Sequence, residues 1–295
     1  VVARGGGLSY TRGYVPEVPN TIIIDTRRLD RITEINEGDL YITVEAGCTW
    51  ANINNELERL GFRLPHFGPA SGRFSTIGGG LSQNSIFFGS AQYGSAADHV
   101  SSLEVVLADG GILRTGTAAI TGGAPFFRHH GPDLTGLFIG DCGALGIKTS
   151  ATMRLIELPP YQEFLALRFS DFESMVGIQA LIARKGMAAE CLGIGSYKLF
   201  NAETITELYI VAEGYNKGQL AEQVNYIRDA SKGLGKEIDA DIPRMIREQS
   251  FNFVTSVLDP EGRLQMWTHG VVPFSRAAAI YSKLVKFFDK EAATL

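Results

Sequence analysis

Arg4-Gly5-Gly6-Gly7-Leu8-Ser9, reached from the β-branched start Val1-Val2, decides how the rest of this 295-residue chain is read. Three successive residues without Cβ atoms offer bare backbone N–H groups, and a hydroxyl follows two residues later. Such a nest wraps a pyrophosphate without a helix dipole. The same run also serves as a plain turn, so a second loop of like chemistry carries weight. Pro69-Ala70-Ser71 and Ser75-Thr76-Ile77-Gly78-Gly79-Gly80 supply one. Neither loop is a Rossmann fingerprint: Gln83 and Tyr10 stand where G-x-G-x-x-G needs its last glycine. Gly235-Lys236 has Ala230 five residues before it and Glu237 after it, so it is no P-loop, and H-E-x-x-H and G-x-S-x-G are absent.

Working outward, 24 of the 34 glycines fall in residues 1–150. The first half therefore needs tight turns or close backbone approach, whereas the second half reads as ordinary packed structure. The chain is 45% hydrophobic and 20% charged, a globular composition, and its net charge of −5 argues against a nucleic-acid partner. Cys48, Cys142 and Cys191 are odd in number and widely spaced, which writes neither a disulfide framework nor a zinc site and favours a reducing compartment. No apolar run is long enough for a membrane span, and Val1 opens no signal-peptide pattern; a cytoplasmic location is expected, with peripheral membrane attachment left open.

Thr21–Asp25 and Leu40–Glu45 read as strands. Ser102–Ala108, Asp109-Gly110-Gly111 and Ile112–Thr115 read as a hairpin, and Gly146–Leu158 returns to strand alternation before Pro159-Pro160. Thr49–Leu60 has Trp50, Ile53, Leu57 and Leu60 at helical spacing with Gly61 as a stop. Beyond the prolines the order is a strand (Glu163–Phe169), a helix opened by a Ser170–Glu173 capping box and ended by Gly186, strands near Cys191–Leu199 and Ile205–Ala212, and a helix through Leu220, Val224 and Ile227. That pattern predicts an antiparallel sheet with helices on one face. Trp267–Val272 reads as a later strand and Ser275–Lys290 as a closing amphipathic helix.

An ordered series of motifs now carries a resemblance over residues 1–158. It comprises Arg4-Gly5-Gly6-Gly7-x-Ser9, Val44-Glu45-Ala46-Gly47, Pro69-x-Ser71, Thr76-Ile77-Gly78-Gly79, Tyr93-Gly94-x-x-x-Asp98-x-Val100, Leu103–Gly110, Asp133-Leu134-x-x-Leu137-Phe138-Ile139-Gly140 and Gly143-x-Leu145-Gly146-Ile147-x-Thr149. It resembles the FAD-binding domain of the vanillyl-alcohol oxidase / p-cresol methylhydroxylase (PCMH) superfamily, within it the branch of glycolate oxidase flavoprotein subunits and FAD-linked D-lactate dehydrogenases. The resemblance implies a two-domain α+β protein, with an FAD-binding PCMH-type domain over residues 1–158 and a ferredoxin-like substrate (cap) domain over 159–295. It also implies that an early subdomain is missing at the N-terminus and that the cap domain is incomplete at the C-terminus.

Carried over residue by residue, the resemblance assigns the FAD pyrophosphate to Arg4, Gly5, Gly6, Gly7 and Ser9 and to the loop holding Pro69, Ser71, Thr76, Ile77, Gly78 and Gly79. Gly94 and Asp98 fall beside the ribityl chain and isoalloxazine, and the backbone of Gly143 and Ile147 on the adenosine side. Members that bond FAD covalently through the first loop have a histidine within it, whereas this chain has Gly7, so non-covalent FAD is expected, with a bond from a second-domain histidine left open. Gly140-Asp141-Cys142-Gly143 stands where many relatives read glycine-serine-glutamate-glycine, Ser82–Gln92 is distinctive, and the branch's late histidine, glycine and Asp-Gly-Asn motif is absent.

The implied activity is oxidation of an alcohol carbon, most naturally of a 2-hydroxy acid, with hydride passing to flavin N5. The partners are a small alcohol or hydroxy acid and an electron acceptor, whether O2, a quinone or a redox protein; a homo-oligomer or partner subunit is left open. His269 is the candidate proton acceptor, against the reading of a packed structural histidine, and no metal is expected. Arg128, Arg247 and Arg263 are candidates for a substrate carboxylate. His129-His130 read as a lip beside Arg128 or as a solvated loop, His66 as a turn residue, His99 as a strand residue and Cys142 as packing. Tyr197, Phe200, Tyr209 and Phe251 read as core, with stacking on flavin or substrate as the other role. Competing functions are a phenol or alcohol oxidase using O2, a flavin-binding subunit inactive alone, and a reductase taking hydride from NADPH.

Overall fold

A computed structural model describes residues 1–9, 12–195, 205–252 and 270–292. These fall into two compact units, the first made of residues 1–158 with 249–252, the second of 159–248 with 270–292. The second half of the sequence is thus interrupted by a short return to the first unit.

In the first unit, strands β1 (Val2–Arg4) and β2 (Ile23–Asp25) form a parallel pair, Arg4 opposite Asp25. Strands β3 (Ile32–Asn36), β4 (Tyr41–Glu45), β6 (Val100–Val106), β7 (Ile112–Arg114) and β8 (Ile147–Arg154) form a five-stranded sheet in the order β3-β4-β8-β6-β7, all neighbours antiparallel. The short β5 (Phe62–Arg63) and β9 (Ile156–Glu157) pair separately. Alternation explains the sheet: Ile42 and Val44 are wholly buried, while Thr43 between them meets Thr152 by a hydroxyl–hydroxyl bond of 2.9 Å on the other face. The Asp109-Gly110-Gly111 turn joins β6 and β7 as expected, Gly110 taking φ +86°. Helix α1 (Trp50–Arg59) starts at Thr49, whose hydroxyl accepts the Asn52 N–H, buries Trp50, Ile53 and Leu57, and gives way to Gly61 at φ +80°. Three four-to-six-residue helices follow: α2 (Ile77–Ser82), α3 (Ser90–Tyr93) and α4 (Leu134–Leu137).

In the second unit, β10 (Tyr161–Phe169), β11 (Glu190–Gly195), β12 (Thr206–Gly214) and β13 (Gly235–Ile238) form an antiparallel sheet in the order β11-β12-β10-β13. Helices α5 (Phe172–Lys185) and α6 (Lys217–Ser231) join its strands. Leu165, Leu167 and Phe169 of β10, Leu208 and Ile210 of β12, Met175, Ile178 and Ile182 of α5 and Ile227 of α6 make one core. The cap of α5 differs from expectation: Asp171 accepts the Ser174 N–H at 2.7 Å, and Ser170 donates its hydroxyl to Asp171. A carboxylate one residue on meets the helix's free amides better than the serine does.

Helix α7 (Asp241–Glu248) was not foreseen; it is short and mostly exposed, but its Arg247 is buried between Glu190 and Glu213 and pairs with both. The closing helix α8 (Phe274–Ala292) matches the predicted span, and its Tyr281 ring stacks on Phe172 with centroids 3.8 Å apart. Of the predicted strand at 267–272, residues 267–269 lie outside the described residues and 270–272 carry no strand. No helix among the described residues is long and apolar enough to cross a membrane.

His66 is 1% exposed and pins the distinctive Ser82–Gln92 stretch. Its Nδ1 lies 2.9 Å from the Phe88 carbonyl and 3.2 Å from Ser90 Oγ, its Nε2 lies 3.4 Å from Ser85 Oγ, and its ring stands edge-on to Trp50. Burial, before any other influence, pushes the imidazole down to about 4. An unfolded chain takes up that proton near 6.5, so the stabilisation from the neutral ring is complete above 6.5 and is lost as pH falls towards 4. We expect urea titrations of the wild type to lose up to about 3 kcal/mol from this source between pH 7 and pH 4. His66→Gln, less stable at pH 7, should lack that part of the slope; an unchanged slope would show that His66 is not its origin.

Candidate functional site

The two glycine loops, about seventy residues apart in sequence, meet. A Cβ added to Gly5 would lie 2.2 Å from Thr76 Oγ1, and one added to Gly6 would lie 2.2 Å from the Phe74 carbonyl oxygen. Backbone packs on backbone at Gly6 and on the Thr76 hydroxyl at Gly5, closeness that only glycine permits. Strand β1 delivers the first loop from its pairing with β2, and Gly7 turns it with φ +72°.

The second loop is held from below. The Ser71 carbonyl accepts the N–H groups of Phe74 and Ser75, and the Gly72 carbonyl accepts that of Ala51 in α1. Phe251, from the short return segment, lies over this loop: a Cβ on Gly72 would meet its ring at 2.2 Å and one on Gly68 at 3.0 Å. Phe251 also stands edge-on to Phe67 and Phe88, so of its two expected roles it takes the packing one.

Donors sort into committed and free. Ile77 and Gly78 give their N–H groups to the carbonyls of Cys48 and Ala46, and Gly79 gives its own to Thr76 Oγ1 at 3.3 Å. These three residues therefore provide closeness, Gly78 lying against Ala46, more than free amides. Among the described residues the amides of Gly5, Gly6 and Gly7 make no hydrogen bond. Arg4 Nε, whose guanidinium sits 3.2 Å from the Cβ position of Gly7, and Ser75 Oγ are buried atoms without a partner. Unpaired donors in a row beside a cation and a hydroxyl fit a diphosphate, because burying such groups without an acceptor costs about 1–3 kcal/mol each. Ser75 was not among the expected residues; its place just before Thr76 in a loop of hydroxyls was the available signal.

The remaining expected residues lie elsewhere in the first unit. Gly94, at φ +88°, and Asp98 belong to one small turn, in which Asp98 accepts the N–H and hydroxyl of Ser95 at 2.7 and 2.8 Å. Asp98 is thus engaged in closing its own turn. Gly143 has φ +79° and open space at its Cβ position, and Ile147 opens β8 half-buried.

Two of the three candidate arginines are spent. Arg247 is saturated by Glu190 and Glu213, and Arg128 pairs with Asp133 at 2.8 Å and donates to the Ala97 carbonyl. Arg263 and His269 lie outside the described residues, as do Tyr197 and Phe200. His129 and His130 are exposed, while His99 is buried with its charge disfavoured by desolvation. Tyr209 is buried and donates its hydroxyl to Glu207; burial and that bond push the phenol up, so it is no base. Cys142, expected as packing, is exposed. A polar groove of about 700 Å³ on the outer face of the five-stranded sheet, lined by Thr43, Ser102, Glu104, Arg114 and Thr152, includes none of the expected residues. No group of three or more metal-ligating side chains occurs among the described residues.

Gly6→Ala is expected to abolish FAD uptake while leaving the far-ultraviolet circular dichroism unchanged, because the methyl group meets a backbone carbonyl that cannot yield. Retention of FAD at wild-type affinity in a fluorescence titration would refute this role for the loop contact.

Comparison with known proteins shows what the chain is similar to. Residues 1–116 match the sequence model of a family described as an FAD binding domain. The chain is 33% identical over 174 residues to the glycolate oxidase subunit GlcD of Bacillus subtilis, covering 59% of this chain and 35% of that protein. It is 28% identical over 212 residues to the mitochondrial D-lactate dehydrogenase [cytochrome] 1 of Saccharomyces cerevisiae, covering 70% and 35%. A crystal structure of p-cresol methylhydroxylase with substrate bound superposes with a TM-score of 0.65 at 18% identity, covering 83% of this chain and 53% of that one. The chain spans about a third of the length of these two curated relatives. Residues 1–116 match an FAD binding domain, FAD is accordingly the cofactor of this chain, and the chain shares its fold with p-cresol methylhydroxylase.

Proposed function

We propose that this chain is the cofactor-holding part of an FAD-dependent oxidoreductase that oxidises the alcohol carbon of a 2-hydroxy acid. The observation that carries the cofactor half of the reading is the meeting of Gly5–Gly7 with Phe74–Thr76, which leaves three free amides, Arg4 Nε and Ser75 Oγ around one cradle. The substrate half rests on likeness to proteins named for glycolate and D-lactate.

In this reading the Gly5, Gly6 and Gly7 amides, the Arg4 guanidinium and the hydroxyls of Ser9, Ser75 and Thr76 take the cofactor's diphosphate. Pro69, Ser71 and Gly79 keep the second loop close to it. Gly94 keeps the backbone near the isoalloxazine, and Gly143 and Ile147 line the adenosine side. Gly7 leaves no side chain for a covalent bond from the first loop, which holds FAD by hydrogen bonds and charge. Bound FAD supplies a two-electron acceptor. His269 takes the substrate hydroxyl proton. Arg263 pairs with the substrate carboxylate, since Arg128 and Arg247 already have acidic partners. The second unit, residues 159–248 with 270–292, forms the substrate (cap) domain; the strand order β11-β12-β10-β13, with α5 and α6 as its crossovers, supports a ferredoxin-like arrangement. Electrons leave to O2, a quinone or a redox protein.

The test is an anaerobic visible spectrum of the purified protein reconstituted with FAD, before and after a panel of D-2-hydroxy acids. Bleaching by at least one acid is expected, and His269→Ala should slow it by 10²-fold or more. A flavin that stays oxidised with every acid would move the assignment to a phenol or to NADPH as donor. Failure to bind FAD would overturn the cofactor reading.

A further inference from the structure

Lys148 and Asp141 are an ion pair inside the first unit, Nζ to Oδ1 2.7 Å, with side chains 3% and 1% exposed. Buried pairs are costly to desolvate and are weak evidence for stability by themselves. What distinguishes this one is how many backbone groups it organises. Asp141 accepts the N–H of Gly143 at 3.0 Å and of Leu145 at 3.4 Å, and Lys148 Nζ also reaches Ser82 Oγ at 2.9 Å. The same stretch docks on the C-terminal end of α2, where Gly140 N–H donates to the Leu81 carbonyl and Cys142 N–H to the Ser82 carbonyl. Both are carbonyls of the last turn of α2, and that of Leu81 accepts the Asn84 N–H as well.

The loop so held turns on two glycines suited to positive φ and one residue that is not. Gly140, Cys142 and Gly143 all have positive φ, at +71°, +53° and +79°, and cysteine is an unusual occupant of that region. The other end of α2 begins at Thr76, the residue that meets Gly5. One buried pair therefore joins the 140–146 loop to the helix whose cap touches the glycine nest.

We propose that Asp141, held by Lys148, is a positioning residue for FAD: its carboxylate fixes the Gly140–Gly146 loop and α2 in the arrangement that receives the cofactor. This rests on the FAD reading given above and on the assignment of Gly143 and Ile147 to the cofactor. Neither side chain is asked to touch FAD, and the reaction itself is unaffected once FAD is bound.

Two double variants separate positioning from charge and from folding. Each removes both charges, so neither leaves a buried ion unpaired. D141N/K148M keeps one side-chain oxygen, for the shorter bond from the Gly143 amide, whereas D141A/K148M removes both oxygens. FAD affinity is read by flavin fluorescence, and the thermal midpoint is measured without flavin. D141A/K148M is expected to bind FAD at least tenfold more weakly and D141N/K148M within threefold of wild type, with flavin-free midpoints within a few degrees of each other. Equal FAD affinities in the two variants would overturn the proposal. So would a flavin-free midpoint that falls in step with affinity, or failure of the alanine variant to fold, because the pair would then serve the fold alone. A wild type that binds no FAD would instead overturn the underlying cofactor reading, an outcome visible before either variant is made.

Discussion

The contact between Gly5–Gly6 and Phe74–Thr76 is the constraint on which the rest of the first unit depends. Two loops that share one anion must both lie within hydrogen-bond reach of it, and here they approach so closely that a methyl group at either glycine would meet an oxygen at 2.2 Å. Everything around the contact holds one side of it. The pairing of β1 with β2 sets the first loop, and the Thr49 cap with the Trp50–Arg59 helix sets the second through Ala51. The free amides exist because the loop is too tightly turned, and too close to its neighbour, to find acceptors of its own.

Polar groups buried away from that contact act as fasteners, and three of them have the same form. Arg247 fastens α7 to β11 and β12, His66 fastens the Ser82–Gln92 stretch beneath Trp50, and Lys148 with Asp141 fastens the 140–146 loop to α2. Each attaches an irregular segment to a regular one where apolar area is small. Arg247 was open to another reading in sequence, and Lys148 had none. A cation of either type seeks a carboxylate, and whether that carboxylate belongs to a substrate or to the chain depends on which glutamate or aspartate folding brings near.

Much of the fold was legible for a local reason. Alternation in Leu40–Glu45, the Asp-Gly turn at 109–110, the Thr49 cap and the Gly61 stop all act within one or two turns of chain, so the residues that decide them are adjacent. The misses share the opposite reason. Asp171 displaced Ser170 because two cap candidates stand side by side and the backbone path chooses between them. The Asp241–Glu248 helix carries Ile242, Met245 and Ile246 at helical spacing, but it is only eight residues long with a proline in its first turn, and its anchor is an ion pair formed with two strands far away in sequence. The return of Gln249–Asn252 to the first unit left no trace in composition, since Phe251 reads equally as core of either half.

By itself the sequence determined the glycine loops, their spacing from hydroxyls, and the division of labour between a glycine-rich half and a packed half. Those features depend on the absence of side chains at particular residues, and absence is visible without coordinates. Only the tertiary structure decided that the two loops face the same space, that the amides of Ile77 and Gly78 are spent while those of Gly5, Gly6 and Gly7 are free, and that Arg128 and Arg247 already have partners. The availability of a donor or a charge is a property of what folding places beside it, and the order of residues along the chain does not contain that distance.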